Sequence, residues 1–157
     1  TRLPLDAEFR ARLERNCLIV YTGQSRISGD TITAVLNAYR ARDAKVLFAL
    51  KRMRELAEQM AAAVTAGDLD ALAALVGEQW AHQRSLHPAI PTAQIDEIVE
   101  RARRAGASGA KALGASGGGC VFVVARDDRV ADVRSAVEPL GEIVDFAIAT
   151  HGVEICE

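Results

Sequence analysis

Apolar residues recur along this chain in two rhythms, and each change of rhythm marks an element. From Asp43 onward, Leu47, Leu50, Met53, Leu56, Met60 and Val64 fall three and four apart. That spacing puts them on one face of an amphipathic α-helix. Gly67 ends the helix, and Asp68 is placed to cap the next, whose stripe is Leu69, Leu72, Leu75, Val76 and Trp80. Pro88 and Pro91 then break the chain. Thr92 caps a third helix with Ile95, Ile98, Val99 and Ala102 inward, and Asp96 and Glu97 lie near its positive end. A shorter helix is predicted from the cap Asp6 through Arg15, carrying Phe9 and Leu13. Another opens at Asp128 with Val130, Val133, Val137 and Leu140.

The second rhythm is that of strands. Cys17–Tyr21 and Cys120–Val124 are short continuous apolar runs that read as buried strands. Leu3-Pro4-Leu5 reads as an extended segment, and Thr22-Gly23-Gln24-Ser25 as a polar turn leading into the long helical region. Val144, Phe146 and Ile148 alternate as a strand, and Thr150-His151-Gly152 turns the chain into a last strand from Val153 to Cys156. There is no internal repeat and no linker. The natural packing is α+β: a two-layer sandwich with one mainly antiparallel, four-stranded sheet and helices on one face.

Composition narrows the function classes. The chain has 157 residues, half of them apolar, which suits one domain with a real core. Nineteen basic and 21 acidic residues give a net charge of −2, against a nucleic-acid footprint. Arg101, Arg103 and Arg104 are the one basic cluster, and a solvated helix face accounts for them. No apolar run approaches the roughly 20 residues of a membrane span. No leader pattern is present, and the first residue, Thr1, suggests an excised or processed piece. Cys17, Cys120 and Cys156 lack metal-ligand spacing and lie in apolar stretches, so buried reduced thiols and a cytoplasmic location are expected.

The chemistry-bearing feature is glycine. Gly106 through Gly119 is glycine-rich and ends in Gly117-Gly118-Gly119, directly before the Cys120 strand. Consecutive glycines are entropically costly, so the backbone there must need positive φ or a close approach to another group. One reading is a loop whose amides or bare Cα atoms face a phosphate or sugar; the other is a turn packed on a neighbouring backbone. The pattern is neither a P-loop nor a dinucleotide fingerprint, because the glycines precede a strand.

The run from Gly109 to Cys120 closely resembles the third conserved motif of the GHMP kinases, the family of galactokinase, homoserine kinase, mevalonate kinase and the heptose kinases. Leu18–Gly23 with Ser25 and Arg26, Gly77-Glu78-Gln79-Trp80 with Arg84, Ile90-Pro91 with Ile95-Asp96, and His151-Gly152-Val153 are similar to the heptose 7-phosphate kinase subgroup. The resemblance covers most of the chain, in order. It implies the ferredoxin-like C-terminal domain of such a kinase over residues 1–157, with the amino-terminal ATP-binding domain absent from the chain. One position departs: Ser116 stands where the family loop usually has glycine. A serine there is tolerated at negative φ; otherwise its Cβ and hydroxyl obstruct close approach to a ligand.

For mechanism the resemblance implies ATP-dependent phosphoryl transfer to a sugar or sugar-phosphate hydroxyl in a cleft between two domains, with Mg²⁺. The main phosphate loop and the acidic base or orienter belong to the other half. No Pro-x-x-x-Gly-Leu-x-Ser-Ser pattern occurs here, so no catalytic residue is assigned and the chain alone should not turn over. Gly114, Ala115, Ser116, Gly117, Gly118 and Gly119 would shape the space around the transferred phosphate, with backbone amides as donors. Lys111, one of three lysines beside Lys45 and Lys51, would either offer charge to phosphates or be a solvated lysine on a short helix before the loop. Thr22, Gly23, Ser25 and Arg26 follow a buried strand, where loop residues reach ligands; Arg26 either binds a sugar phosphate or pairs with a nearby acid. Arg84 reads as a surface ion pair, Trp80 as core, and His82, His87 and His151 as structural or surface residues. Two other readings stay open: a galactokinase-like or other small-alcohol kinase of the same family, and a non-catalytic α+β module that binds a ligand or a protein partner.

Overall fold

The computed structural model describes residues 3–24, 29–150 and 152. In chain order the elements are α1 (Ala7–Asn16), β1 (Cys17–Tyr21), α2 (Gly29–Arg40), α3 (Ala44–Ala66), α4 (Leu69–Ser85), α5 (Ala93–Ala105), β2 (Ala107–Ala112), β3 (Cys120–Ala125), α6 (Val130–Val137), a 3-10 turn at Glu138–Leu140, and β4 (Glu142–Val144). Among the described residues the sheet has four antiparallel strands in the order β2-β3-β1-β4.

Caps at the expected Asp6, Asp68 and Thr92, and a further one at Asp43, set four helix starts. The side chains of Asp6, Asp43, Asp68 and Thr92 each accept from the backbone N–H three residues on: Phe9, Val46, Ala71 and Ile95. Each such cap is worth about 1 kcal/mol. Gly67 closes α3 in the left-handed conformation, φ 68°, and donates back to Ala63 and Val64. α6 starts two residues later than predicted, at Val130, and has no side-chain cap.

Strand register sorts the apolar residues onto two faces. Leu18 lies opposite Val123 and Cys17 opposite Val124, so successive pairs point to opposite sides. The larger cluster joins Leu18, Val20, Val121 and Val123 to Ile95, Ile98 and Ala102 of α5 and Val133 and Val137 of α6. This is the sheet-against-helices layer. A second cluster at the Cys17 end gathers Phe9, Cys17, Leu69, Leu72, Ala73, Val76 and Val124. Burial pushes the Cys17 thiol up to about 12, which makes it an inert packing group. Cys120 is half-buried and also free; Cys156 lies outside the described residues.

Two sequence expectations change. Residues 107–112, read as the approach to a glycine loop with Lys111 on a short helix, form strand β2. Its Ala-Ser-Gly-Ala-Lys-Ala sequence has little intrinsic strand character; pairing with β3 and packing of α4 supply what propensity does not. The strand expected at Val144, Phe146 and Ile148 is only Glu142–Val144, paired with β1. Beyond it, the Ile148 N–H bonds instead to the Glu14 carboxylate at 2.8 Å. The expected strand Val153 to Cys156 and His151 lie outside the described residues. No helix among the described residues is long and apolar enough to cross a membrane.

Candidate functional site

The loop Leu113–Gly119 joins β2 to β3 at the end of the sheet where β1 also finishes, because Tyr21 pairs with Cys120. Leu113 N–H closes the loop base on Cys120 O at 2.8 Å. Thr22 donates to Gly119 O twice, from its backbone N at 2.9 Å and from Oγ1 at 2.9 Å. Gly119 N–H returns to Gln24 O at 2.7 Å. The predicted residues Thr22 and Gly23 are thus brought beside the predicted glycine loop, and Gly23 is exposed with φ 73°. Ser25 and Arg26 lie outside the described residues.

The loop backbone is held left-handed through most of its length: φ is 63° at Gly114, 64° at Ser116, 84° at Gly117, 151° at Gly118 and 76° at Gly119. Ser116 therefore does not take the negative φ that would have made it an easy substitute for glycine. Its Cβ costs about 1 kcal/mol in this region. Two bonds hold it there. The buried hydroxyl donates to Ile90 O at 2.7 Å, and Gly117 N–H donates to the same carbonyl at 3.0 Å. The serine side chain points into the protein, to the segment before α5, and leaves the amide side of the loop uncovered by it.

Gly117 and Gly119 spend their amides on Ile90 and Gln24. No acceptor among the described residues meets the amides of Gly114, Ala115, Ser116 or Gly118. Ser116 and Gly118 are buried, where an unpaired N–H is costly. Gly114 and Ser116 are left-handed and Ala115 between them is not, and unspent amides on residues of alternating hand form the kind of concave nest that binds anions. That is an observation about donor chemistry, and phosphate oxygens fit it. Among the described residues no group of three His, Cys, Asp or Glu side chains is placed to hold a metal ion.

Two glutamines that sequence reasoning passed over fix the loop and its neighbour. Gln83, nearly fully buried, donates from Nε2 to Gly114 O at 2.9 Å. Gln94 Nε2 bridges Thr22 O at 2.9 Å and Leu140 O at 2.8 Å. A signal for Gln83 exists: it continues the apolar face Leu72, Val76, Trp80, where a polar residue needs a reason. Lys111 lines a cavity of 290 Å³ together with Gly114, Ala115, Gln79 and Gln83. Burial lowers its pKa. Arg84 pairs with Asp96 at 2.9 Å and stacks 5.8 Å from the ring of buried Trp80. His87 Nδ1 accepts from Ala89 N–H, and His82 meets the edge of Phe48. A cavity of 740 Å³ lined by Leu3, Pro4, Leu5, Asp6, Arg10, Ile148, Ala149 and Thr150 shares no residue with the loop.

Residues 53–141 match the family described as GHMP kinases C terminal. The chain belongs to that family. It is 28% identical over 147 residues to the bifunctional fucokinase/GDP-fucose pyrophosphorylase of Arabidopsis thaliana, covering 93% of this chain and 14% of that protein. It is 28% identical over 141 residues to the mevalonate kinase of Aeropyrum pernix, covering 89% and 43%. Among solved structures, L. major mevalonate kinase in complex with R-mevalonate superposes with a TM-score of 0.74 at 20% identity, covering 82% of this chain and 40% of that one. A D-glycero-D-manno-heptose 1-phosphate kinase from B. thetaiotaomicron does so with a TM-score of 0.60 at 20% identity, covering 94% and 37%. The chain spans less than half the length of the curated relatives it matches. The match over residues 53–141 establishes the family, and the likenesses to solved structures establish the fold. They spread over fucokinase, mevalonate kinase and heptose kinase alike, and so do not single out the heptose 7-phosphate subgroup.

Proposed function

We propose that this chain is the C-terminal domain of an ATP-dependent sugar or sugar-phosphate kinase, and that residues 114–119 form one wall of its phosphoryl-transfer cleft. The observation that carries the reading is the left-handed loop whose Gly114, Ala115, Ser116 and Gly118 amides meet no described acceptor. Phosphoryl transfer is governed by positioning and charge stabilisation, and a rigid set of N–H donors supplies both without reorganising during the reaction. Thr22 and Gly23 stand at the edge of the same loop and would border the sugar, with Ser25 and Arg26 following in sequence.

The fit differs for the two cofactors. Unspent amides suit the oxygens of ATP. The described residues offer no carboxylate cluster for Mg²⁺, so the ion would be held by nucleotide phosphates and by the amino-terminal domain, which also supplies the general base or orienter. A heptose phosphate acceptor is favoured by the motif likeness along the chain, and fucose by the Arabidopsis relative. A mevalonate-like alcohol is the second reading, supported by the likeness to the Aeropyrum enzyme.

The test is ADP release by the full-length protein with heptose 7-phosphate, fucose, galactose and mevalonate, beside the 157-residue chain alone. We expect turnover of a sugar or sugar phosphate by the full-length protein and none by the chain alone. Sugar phosphorylation by the isolated chain would overturn the half-site reading, and mevalonate as the sole accepted alcohol would overturn the sugar assignment.

A further inference from the structure

Of the four loop amides that meet no described acceptor, one differs in how its direction is set. In a planar trans peptide the carbonyl of one residue and the N–H of the next point in opposite directions. The Ala115 N–H therefore takes its heading from the Gly114 carbonyl, and that carbonyl accepts from Gln83 Nε2 at 2.9 Å. The carbonyls that share a peptide with the other three amides are those of Leu113, Ala115 and Gly117. None of them meets a donor among the described residues. Gly114 itself, at φ 63° with open space where a Cβ would stand, lets the following peptide turn over at little steric cost. Its anchor has to come from outside the loop.

Gln83 is costly where it stands. It continues the buried face Leu69, Leu72, Ala73, Val76 and Trp80 of α4, and is itself 5% exposed. A buried amide loses its water, and a single neutral hydrogen bond little more than offsets that loss. Packing alone would be served by leucine or methionine. The bond also crosses 31 residues to reach a loop carbonyl from a helix that lies against β2. We propose that Gln83 is a positioning residue: it fixes the Gly114–Ala115 peptide so that the Ala115 N–H is aimed at an oxyanion before the oxyanion arrives. This rests on reading residues 114–119 as a phosphate wall, and it assigns to that wall the donor whose aim is held by a side chain. Donors fixed in advance stabilise charge without reorganising as it develops. A donor on the carbonyl also polarises the peptide and strengthens its N–H.

The test is amide NMR of the 157-residue chain titrated with sulfate, a divalent oxyanion whose charge does not change near neutral pH. In the wild-type chain sulfate should move the Ala115 N–H proton downfield. Gln83→Met keeps the side chain's length and removes its donor. It should weaken sulfate at least tenfold and turn the Ala115 N–H vector, read by residual dipolar coupling without sulfate, while the signals of α4 and β3 stay in place. Gln83→Glu adds a reversible switch: the protonated acid donates to Gly114 O and the carboxylate cannot, and burial raises the pH at which one becomes the other. Near pH 5 its sulfate affinity should lie within threefold of wild type at the same pH. Near pH 8 it should be at least tenfold weaker, with the Ala115 vector turned. Where Gln83→Met misfolds, Gln83→Glu decides, and where both do, the wild-type Ala115 response decides. Sulfate shifts at Gly114, Ser116 and Gly118 without one at Ala115 would overturn the role of Gln83 and leave the phosphate wall standing. So would equal sulfate affinity of wild type and Gln83→Met, or an Ala115 vector that neither variant turns. No sulfate shift at any loop amide would overturn both readings.

Discussion

Gly109 and the glycines of the 114–119 loop lie within one small-residue run, yet the structure uses them for opposite purposes. Gly109 sits in β2 at a register irregularity but not at positive φ, and a Cβ there would fall 2.0 Å from the Ala73 carbonyl oxygen of α4. Its missing side chain lets a helix lie directly on a strand. Gly114 and Gly119 have open space where a Cβ would go, but φ of 63° and 76°. Their missing side chains let the backbone curl, and the Gly114 amide meets no described acceptor while that of Gly119 closes on Gln24 O. Composition cannot separate the two uses, since each is simply a glycine. Only the partner that α4 brings to β2 separates them, and that partner is almost 40 residues away in sequence.

The largest effect is expected where the clash is with backbone. Gly109→Ala must push α4 off β2, because Ala73 O and C are main-chain atoms that cannot rotate away. Overpacking of this kind costs about 3 kcal/mol. Urea unfolding of the chain should show that loss, while kcat/KM of the correctly folded full-length protein in the proposed phosphoryl transfer stays near wild type. A Gly109→Ala protein of unchanged stability would mean that the α4–β2 contact is looser than described. A smaller loss, about 2 kcal/mol, is expected for Gly118→Ala, which combines φ of 151° with a Cβ 2.8 Å from Gln24 O. Here ATP affinity should fall together with stability, because the loop itself must shift. If Gly118→Ala lowers stability but leaves nucleotide binding intact, the loop is a packed turn like Gly109 and the cleft assignment fails.

Ser116 is intermediate between these two uses. Its Cβ occupies a left-handed residue, and its hydroxyl compensates through the buried bond to Ile90 O. Ser116→Ala keeps the strain and removes the bond, for a loss of about 1.5 kcal/mol. Ser116→Gly removes both, so it should be less destabilised than Ser116→Ala by roughly 1 kcal/mol. Thermal unfolding of the two variants side by side reads this difference directly, and the reverse order would show that the packing of the Cβ and the chain entropy of glycine outweigh the relief of strain.

The same partner dependence sets how much could be read before the structure. α3, α4 and α5 were legible because each carries its own signal: Asp43, Asp68 and Thr92 cap locally, and Gly67 stops α3 locally. β1 and β3 were legible as apolar runs. β2 was not, because Ala-Ser-Gly-Ala-Lys-Ala becomes a strand through β3 and α4 and not through its own side chains. α2 lacked a defined start for a related reason: its face of Ile32, Leu36 and Tyr39 remains largely exposed, so it carries no buried stripe. At the site, the glycines and Thr22 stood out in sequence, whereas Gln83 and Gln94 act on carbonyls 31 and 46 to 72 residues away. Long-range bonds of that kind leave no local pattern.

Lys111 gives the smallest effect and the one most specific to the misread strand. On a solvated helix its charge would be indifferent to folding; in β2 burial disfavours the protonated form and lowers its pKa from 10.5. The unfolded chain then holds this proton more tightly than the folded one. Stability contributed by this group therefore rises with pH from the lowered folded value up to about 10.5, and is lowest at neutral pH, where the buried ammonium is charged. Replacing it by methionine removes the penalty, so Lys111→Met should raise the melting temperature slightly at pH 7, with the gain shrinking as pH approaches 10.5. A gain that is constant across that range would come from packing alone. A loss at pH 7 would mean that the ammonium has a partner in the folded chain.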